Sequence, residues 1–182
     1  MKLPPQLTVA FSGNRNMISP QVHVGDDIEH IVRTHLIDLL NDCYDAGKRI
    51  FLSGGAVGFD MIAADEVLCL KERCSDVKLV LVIPFEGQES KFSEVEKARY
   101  LSLMERADHI VKISNVYNIG AYHMRNDFLV CNSSLLIAYN ANREGGAAST
   151  VRRATKVGLH VINIFDLLST RQPIKQLSFE FE

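Results

Sequence analysis

Apolar positions along the chain fall into two kinds of stretch: short unbroken runs, and longer segments in which they recur every three or four residues. The unbroken runs at 7–11, 50–52, 77–85, 108–113, 134–139 and 159–164 are bounded by turn-forming residues and read as buried strands. Between them, 25–46 carries Ile28, Ile31, Val32, Leu36, Leu39, Leu40 and Cys43 at helical spacing and closes on Gly47 as a C-cap. Further helices are predicted after Gly58, where Met61, Ile62, Ala64 and Leu68 share a face, and over 93–107, 124–132 and from Gly145 to about Val157. Residues 114–122 read as a loop with two tyrosines, and Pro84 marks where the third strand should stop pairing. The polar tail 168–182 ends in an FEFE alternation, either a loose end or an added edge strand.

Strands alternating with helices require parallel pairing through right-handed crossovers. The fold class is therefore α/β, a Rossmann-like three-layer sandwich with a mostly parallel sheet, in a single domain over 1–182. Ligands in such sheets bind beyond the carboxyl ends of the strands, near the switch in strand order. The loops 12–16, 53–58, 85–91, 115–125 and 140–149 all follow strands, so they are expected to share one rim.

Candidate chemistry concentrates in those loops. After the second strand come Ser53, Gly54, Gly55 and Gly58, opening a helix whose first turn holds Asp60. A glycine turn at a helix start directs free N–H groups and the positive end of the dipole at one point, which suits an anion. About 90 residues on, the arrangement recurs: Gly145 and Gly146 open a helix with Ser149 and Thr150 close behind. Ser12, Gly13 and Arg15 follow the first strand, and Arg125 lies beside the fourth rim loop; either arginine could clamp a phosphate with paired donors. Asp60 either complements the helix dipole, holds a ribose hydroxyl or acts as a base. Glu86 is the other catalytic candidate, against the plainer reading that it and Glu89 sit in a solvated loop. Tyr117 and Tyr122 are candidates for stacking on a base or packing a lid, His123 for proton transfer or structure, and Lys97 and Arg99 read as a solvated face.

Composition narrows the function classes. A chain of 182 residues, 47% hydrophobic and 23% charged, can bury a substantial core. Its net charge of −2 lacks the electrostatic footprint of a dedicated nucleic-acid binder, so a nucleic-acid partner is not expected. Cys43, Cys69, Cys74 and Cys131 form no CxxC pair, which indicates neither a metal site nor a disulfide framework and points to the reducing cytoplasm. No leader or membrane span is recognisable; a homo-oligomer is compatible with the sequence.

The segments SGGAVGFDMIAA and EGGAASTVRRA, with MRND before the strand between them, resemble the SLOG superfamily, which includes the Lonely Guy phosphoribohydrolases and the DprA proteins. FSGNRNM, GFDMIAADEV and IPFEGQESKF are most similar to its YpsA-like group, and the similarity covers nearly the whole chain. The resemblance implies a Rossmann-like domain binding a nucleotide or nucleotide-derived small molecule, of NAD or ADP-ribose type, as a sensor or low-activity protein. The cofactor is unknown. It also implies that Arg125 matches an active-site arginine of the phosphoribohydrolases. Their PGGxGTxxE motif, aligned on Gly145 and Gly146, puts Ala148 at the third glycine and Arg152 at the catalytic glutamate, so the carboxylate that assists N-glycosidic hydrolysis is missing there. The alternatives are a nucleotide hydrolase in which Asp60 or Glu86 replaces that glutamate, and DprA-like binding of single-stranded DNA.

Overall fold

A computed structural model describes residues 3–18, 27–142 and 144–170. Each unbroken apolar run becomes a strand because both its faces are covered, and each periodic stretch becomes a covering helix. In chain order the elements are β1 (Thr8–Gly13), α1 (Ile28–Asp45), β2 (Ile50–Ser53), α2 (Phe59–Arg73), β3 (Lys78–Phe85), α3 (Glu94–Arg106), β4 (His109–Ser114), α4 (Ile119–Cys131), β5 (Leu135–Tyr139), α5 (Gly145–Lys156), β6 (His160–Asn163) and α6 (Ile164–Thr170). The sheet runs β4-β3-β2-β1-β5-β6 with every pairing parallel, so the expected sandwich is present and its sheet is wholly rather than mostly parallel.

Alternation along the strands sorts the core into two layers. Val9 and Phe11 of β1, Phe51 of β2 and Leu79, Leu81 and Ile83 of β3 join one apolar cluster with residues of α1, α2 and α3. Ala10, Leu52, Val80, Val82 and Leu136 face the other way, against Leu129 and Val130 of α4 and Ala154 of α5. The chain winds outward from β1 to β4, then crosses to β5 on the other side of β1. That reversal opens a crevice between the carboxyl ends of β1 and β5.

Three expectations change. β3 continues through Pro84: its pairing with β2 ends at Leu81 while pairing with β4 reaches Phe85, so the proline sits where only one flank of the strand is paired. α4 begins at Ile119 rather than near residue 124, drawn back by burial of Ala121. Residues 164–170 form a short helix anchored by fully buried Ile164, where the sixth strand was expected to run to residue 164 and the polar tail to begin at 168. The expected start of the first helix at Gly25 and the FEFE alternation lie outside the described residues.

Candidate functional site

The rim expected from the sequence exists as a cavity of about 520 Å³ at the switch point. Ser12 and Gly13 line it from the end of β1, Asn14 and Arg15 from the loop that follows, and Gly145, Gly146 and Ala147 from the start of α5. Asp60, Gln88, Tyr122, Arg125 and Asn126 complete much of the wall.

The two glycine turns do different work. At the first, the chain packs so closely that a Cβ on Gly54 would lie 1.5 Å from Arg125 Nη1 and 2.7 Å from Asp60 Oδ2. The Gly55 N–H donates to Ser53 Oγ at 3.2 Å, and that hydroxyl donates to the Asp60 carbonyl at 2.8 Å, so Ser53 staples the turn to α2. Gly58 has a φ of 87° and lies against the Asn14 and Arg15 carbonyls, and the Phe59 N–H donates to Asn14 O at 3.2 Å. This helix start is thus closed by the β1 loop, and Ser53, Gly54, Gly55 and Gly58 do not line the cavity.

At the second turn no atom of the described residues, the helix's own backbone aside, lies within 4 Å of a Cβ added to Gly145 or Gly146. The N-cap, Glu144, makes no side-chain capping bond, and the first turn holds no acid. Here the free N–H groups and the dipole do face the cavity. Ser149 and Thr150 lie further round the helix and face a different cavity, between α4 and α5; Thr150 Oγ1 donates back to the Gly146 carbonyl at 2.9 Å. Ala148 is buried, and Arg152 is exposed on α5 and lines neither cavity.

Between the turns lies a buried pair. Asp60 Oδ1 accepts the Gly13 N–H at 3.1 Å, and Oδ2 stands 3.4 Å from Arg125 Nη1. Burial pushes the Asp60 carboxyl above the ordinary carboxylate range, while Arg125 and the Gly13 and Ala56 N–H groups pull the other way. Burial likewise lowers the Arg125 guanidinium, with Asp60 opposing. Arg125 Nε is buried without a hydrogen-bond partner among the described residues, so part of its fork has no protein acceptor.

Glu86 is elsewhere: exposed, outside the cavity, and bonded to Lys112 Nζ at 2.7 Å, which holds its carboxyl below the usual range. Tyr117 and Tyr122 both pack edge-on against Phe85, at 5.1 and 5.5 Å between centroids, but only Tyr122 also reaches the cavity. Arg99, read as solvated, instead bonds Asp65 of α2. Gln88 and Asn126 were missed as site residues. Gln88 Nε2 donates to the Gly54 carbonyl at 3.3 Å, a contact with no local sequence signature; Asn126 stands in the MRND segment and could have been read from it.

A wholly parallel Rossmann-like sandwich with a cavity at its switch point defines the fold class. Within that class the chain belongs to the YspA SLOG family, whose model matches residues 23–167. A UPF0398 protein of Shouchella clausii is 31% identical over 120 residues, and the match spans 64% of either chain, so about a third of that relative has no counterpart in the match. The YpsA protein of Bacillus subtilis is 26% identical over 79% of this chain and 82% of its own. Among solved structures, DNA processing protein A of Helicobacter pylori, described for its single-stranded DNA binding mode, superposes with a TM-score of 0.60 at 20% identity over 86% of this chain and 64% of its own. At that identity the likeness concerns the fold.

Proposed function

We propose that the switch-point cavity binds a nucleotide or nucleotide-derived small molecule, with a phosphate seated on the N-terminus of α5. The carrying observation is that Gly145 and Gly146 leave this helix start open to a cavity that Arg15 and Arg125 also line. An anion there meets free N–H groups and the guanidinium groups of Arg15 and Arg125. A sensor or weakly active protein of NAD or ADP-ribose type remains the favoured form. Gly146→Val is the discriminating variant, because the added side chain enters space open among the described residues and the backbone there is not left-handed. It is expected to weaken nucleotide binding by well over tenfold, about 1.4 kcal/mol or more, with the unfolding midpoint little changed. Thermal-shift titration with AMP, NAD and ADP-ribose measures this; unchanged binding in the variant removes α5 from the site.

A hydrolytic reading keeps one specific support: Asp60 is buried in the cavity wall with its carboxyl shifted toward the range useful to a general base. Chromatography for free base after incubation with nucleoside monophosphates tests it, and turnover surviving Asp60→Asn rejects Asp60 as the base. The net charge of −2 argues against DNA, whereas the shared fold keeps single-stranded DNA worth testing. Filter binding at low salt decides this, since phosphate-driven affinity falls steeply with salt.

A further inference from the structure

Charge in the switch-point cavity is nearly balanced before any ligand enters. Among the described residues that line it, the cations are Arg15 and Arg125 and the carboxyls are Asp60 and Glu144; Tyr122 is the remaining titratable group. Arg125 already faces Asp60 at 3.4 Å, so much of its charge is answered within the wall. Burial favours the neutral form of Asp60, which leaves the lining between zero and one net positive charge. Together with the positive end of the α5 dipole, that matches one negative charge on a ligand and not two. Glu144 sharpens the limit by its position. It is the N-cap of α5, directly before Gly145 and Gly146, with an extended backbone and no side-chain bond to the helix. A phosphate on the free N–H groups of α5 therefore has a carboxylate for a neighbour, and like charges that close repel.

We infer that Glu144 determines which phosphate this cavity accepts: it turns away the doubly charged terminal phosphate of a monoester and admits the singly charged phosphate of a diester. The inference rests on the nucleotide reading of the cavity and adds a selectivity that an open glycine turn does not have by itself. A diester keeps two charge-sharing oxygens for the α5 N–H groups and the guanidinium groups, and can present an uncharged ester oxygen to Glu144. A monoester above its second ionisation, near pH 6, spreads two charges over three terminal oxygens and has no uncharged one to place there. The cavity is thus unlike one built for nucleoside monophosphates, and the residue that makes the difference stands outside both glycine turns.

Isothermal titration of the full chain with AMP and with its methyl ester, adenosine 5′-(methyl phosphate), tests this, since the two differ only in a methyl group and the charge it removes. At about pH 8 the wild type is expected to bind the ester about tenfold or more tightly than AMP. Glu144→Gln, a change at an exposed residue, is expected to cut that preference to below about threefold, mainly by tightening AMP. At about pH 5, where AMP is largely singly charged, the wild-type preference is expected to shrink in the same way. Asp60 titrates in the lining as well, so the pH comparison is repeated in Asp60→Asn, where the shrinkage is expected to persist. Equal affinities in the wild type at pH 8 overturn the inference while leaving the α5 phosphate site standing. So does a preference that survives in Glu144→Gln or at pH 5, which would trace it to the methyl group, or a shrinkage lost in Asp60→Asn. Loss of both ligands in Glu144→Gln overturns it too, by making Glu144 a holding residue. No binding of either ligand by the wild type overturns both the selectivity and the nucleotide reading.

Discussion

Gly54 and Gly146 each belong to a glycine pair between a strand and a helix, yet they answer to opposite constraints. Gly54 is small because Arg125 and Asp60 occupy the space a Cβ would take; Gly146 is small where none of the described residues occupies it. The alanine variants should therefore part company. Gly54→Ala forces the buried Arg125 guanidinium to move, and overpacking of this kind costs about 1–3 kcal/mol. Gly146→Ala is expected to stay within about 0.5 kcal/mol of the wild type, as surface changes usually do. Urea unfolding of the two variants checks this, and equal costs would mean that the close approach at Gly54 is not what holds the residue small. The sequence made both pairs conspicuous and gave them one reading, because a close approach by a residue 71 positions away leaves no local mark.

At the scale of elements, α1, α2 and α3 are bound together by charge as well as by their apolar faces. Arg33 of α1 pairs with Glu29 at 2.7 Å and reaches Asp65 and Glu66 of α2; Arg99 of α3 bonds the same Asp65. Glu66 is buried, so its carboxylate depends on that guanidinium. Arg33→Ala leaves Glu66 unpaired and is expected to destabilise the protein by about 3 kcal/mol. Arg99→Ala, which releases the more exposed Asp65, is expected to cost about 1 kcal/mol or less. Chemical denaturation distinguishes them, and a larger loss at Arg99 would contradict this ordering. Helical periodicity located all three helices but assigned Arg99 to solvent, since period says which face is polar and nothing of what stands opposite. The early start of α4 was hidden for a related reason. Ile119 is exposed and Gly120 a poor helix former, and only the packing of Ala121 and of Tyr122 on Phe85 favours helix there.

Across the whole molecule, Asp60 joins parts that the sheet keeps apart: it sits on α2 in one helical layer, accepts from β1 and faces Arg125 from the other layer. Its folded-state pKa is raised above the ordinary 3.8 chiefly by burial, so the native state holds this proton more tightly than the unfolded chain. The stability it contributes is fully present below about pH 3.8 and is lost as pH rises through the folded value. Relative to Asp60→Asn, the wild type should therefore lose stability as pH rises from about 3.8 through the raised folded value. Unfolding free energies measured across that range for both proteins test the sign, and a relative gain for the wild type would show that Arg125 outweighs burial.

The order of strands and helices, the parallel sheet and the set of loops on its rim were determined by the sequence itself, because apolar run length and period are local properties that fix element type, and crossover handedness then leaves few topologies. The candidate positions Ser12, Gly13, Arg15, Asp60, Arg125, Gly145 and Gly146 were legible as loop chemistry and do line the cavity. Tertiary structure decided which glycine turn stays open, that Glu86 lies outside, that Ser149 and Thr150 turn toward a second cavity, and that Asp60 meets Arg125. Those outcomes depend on which side chains the strand order brings together from separate crossovers, and no spacing within a single segment encodes them.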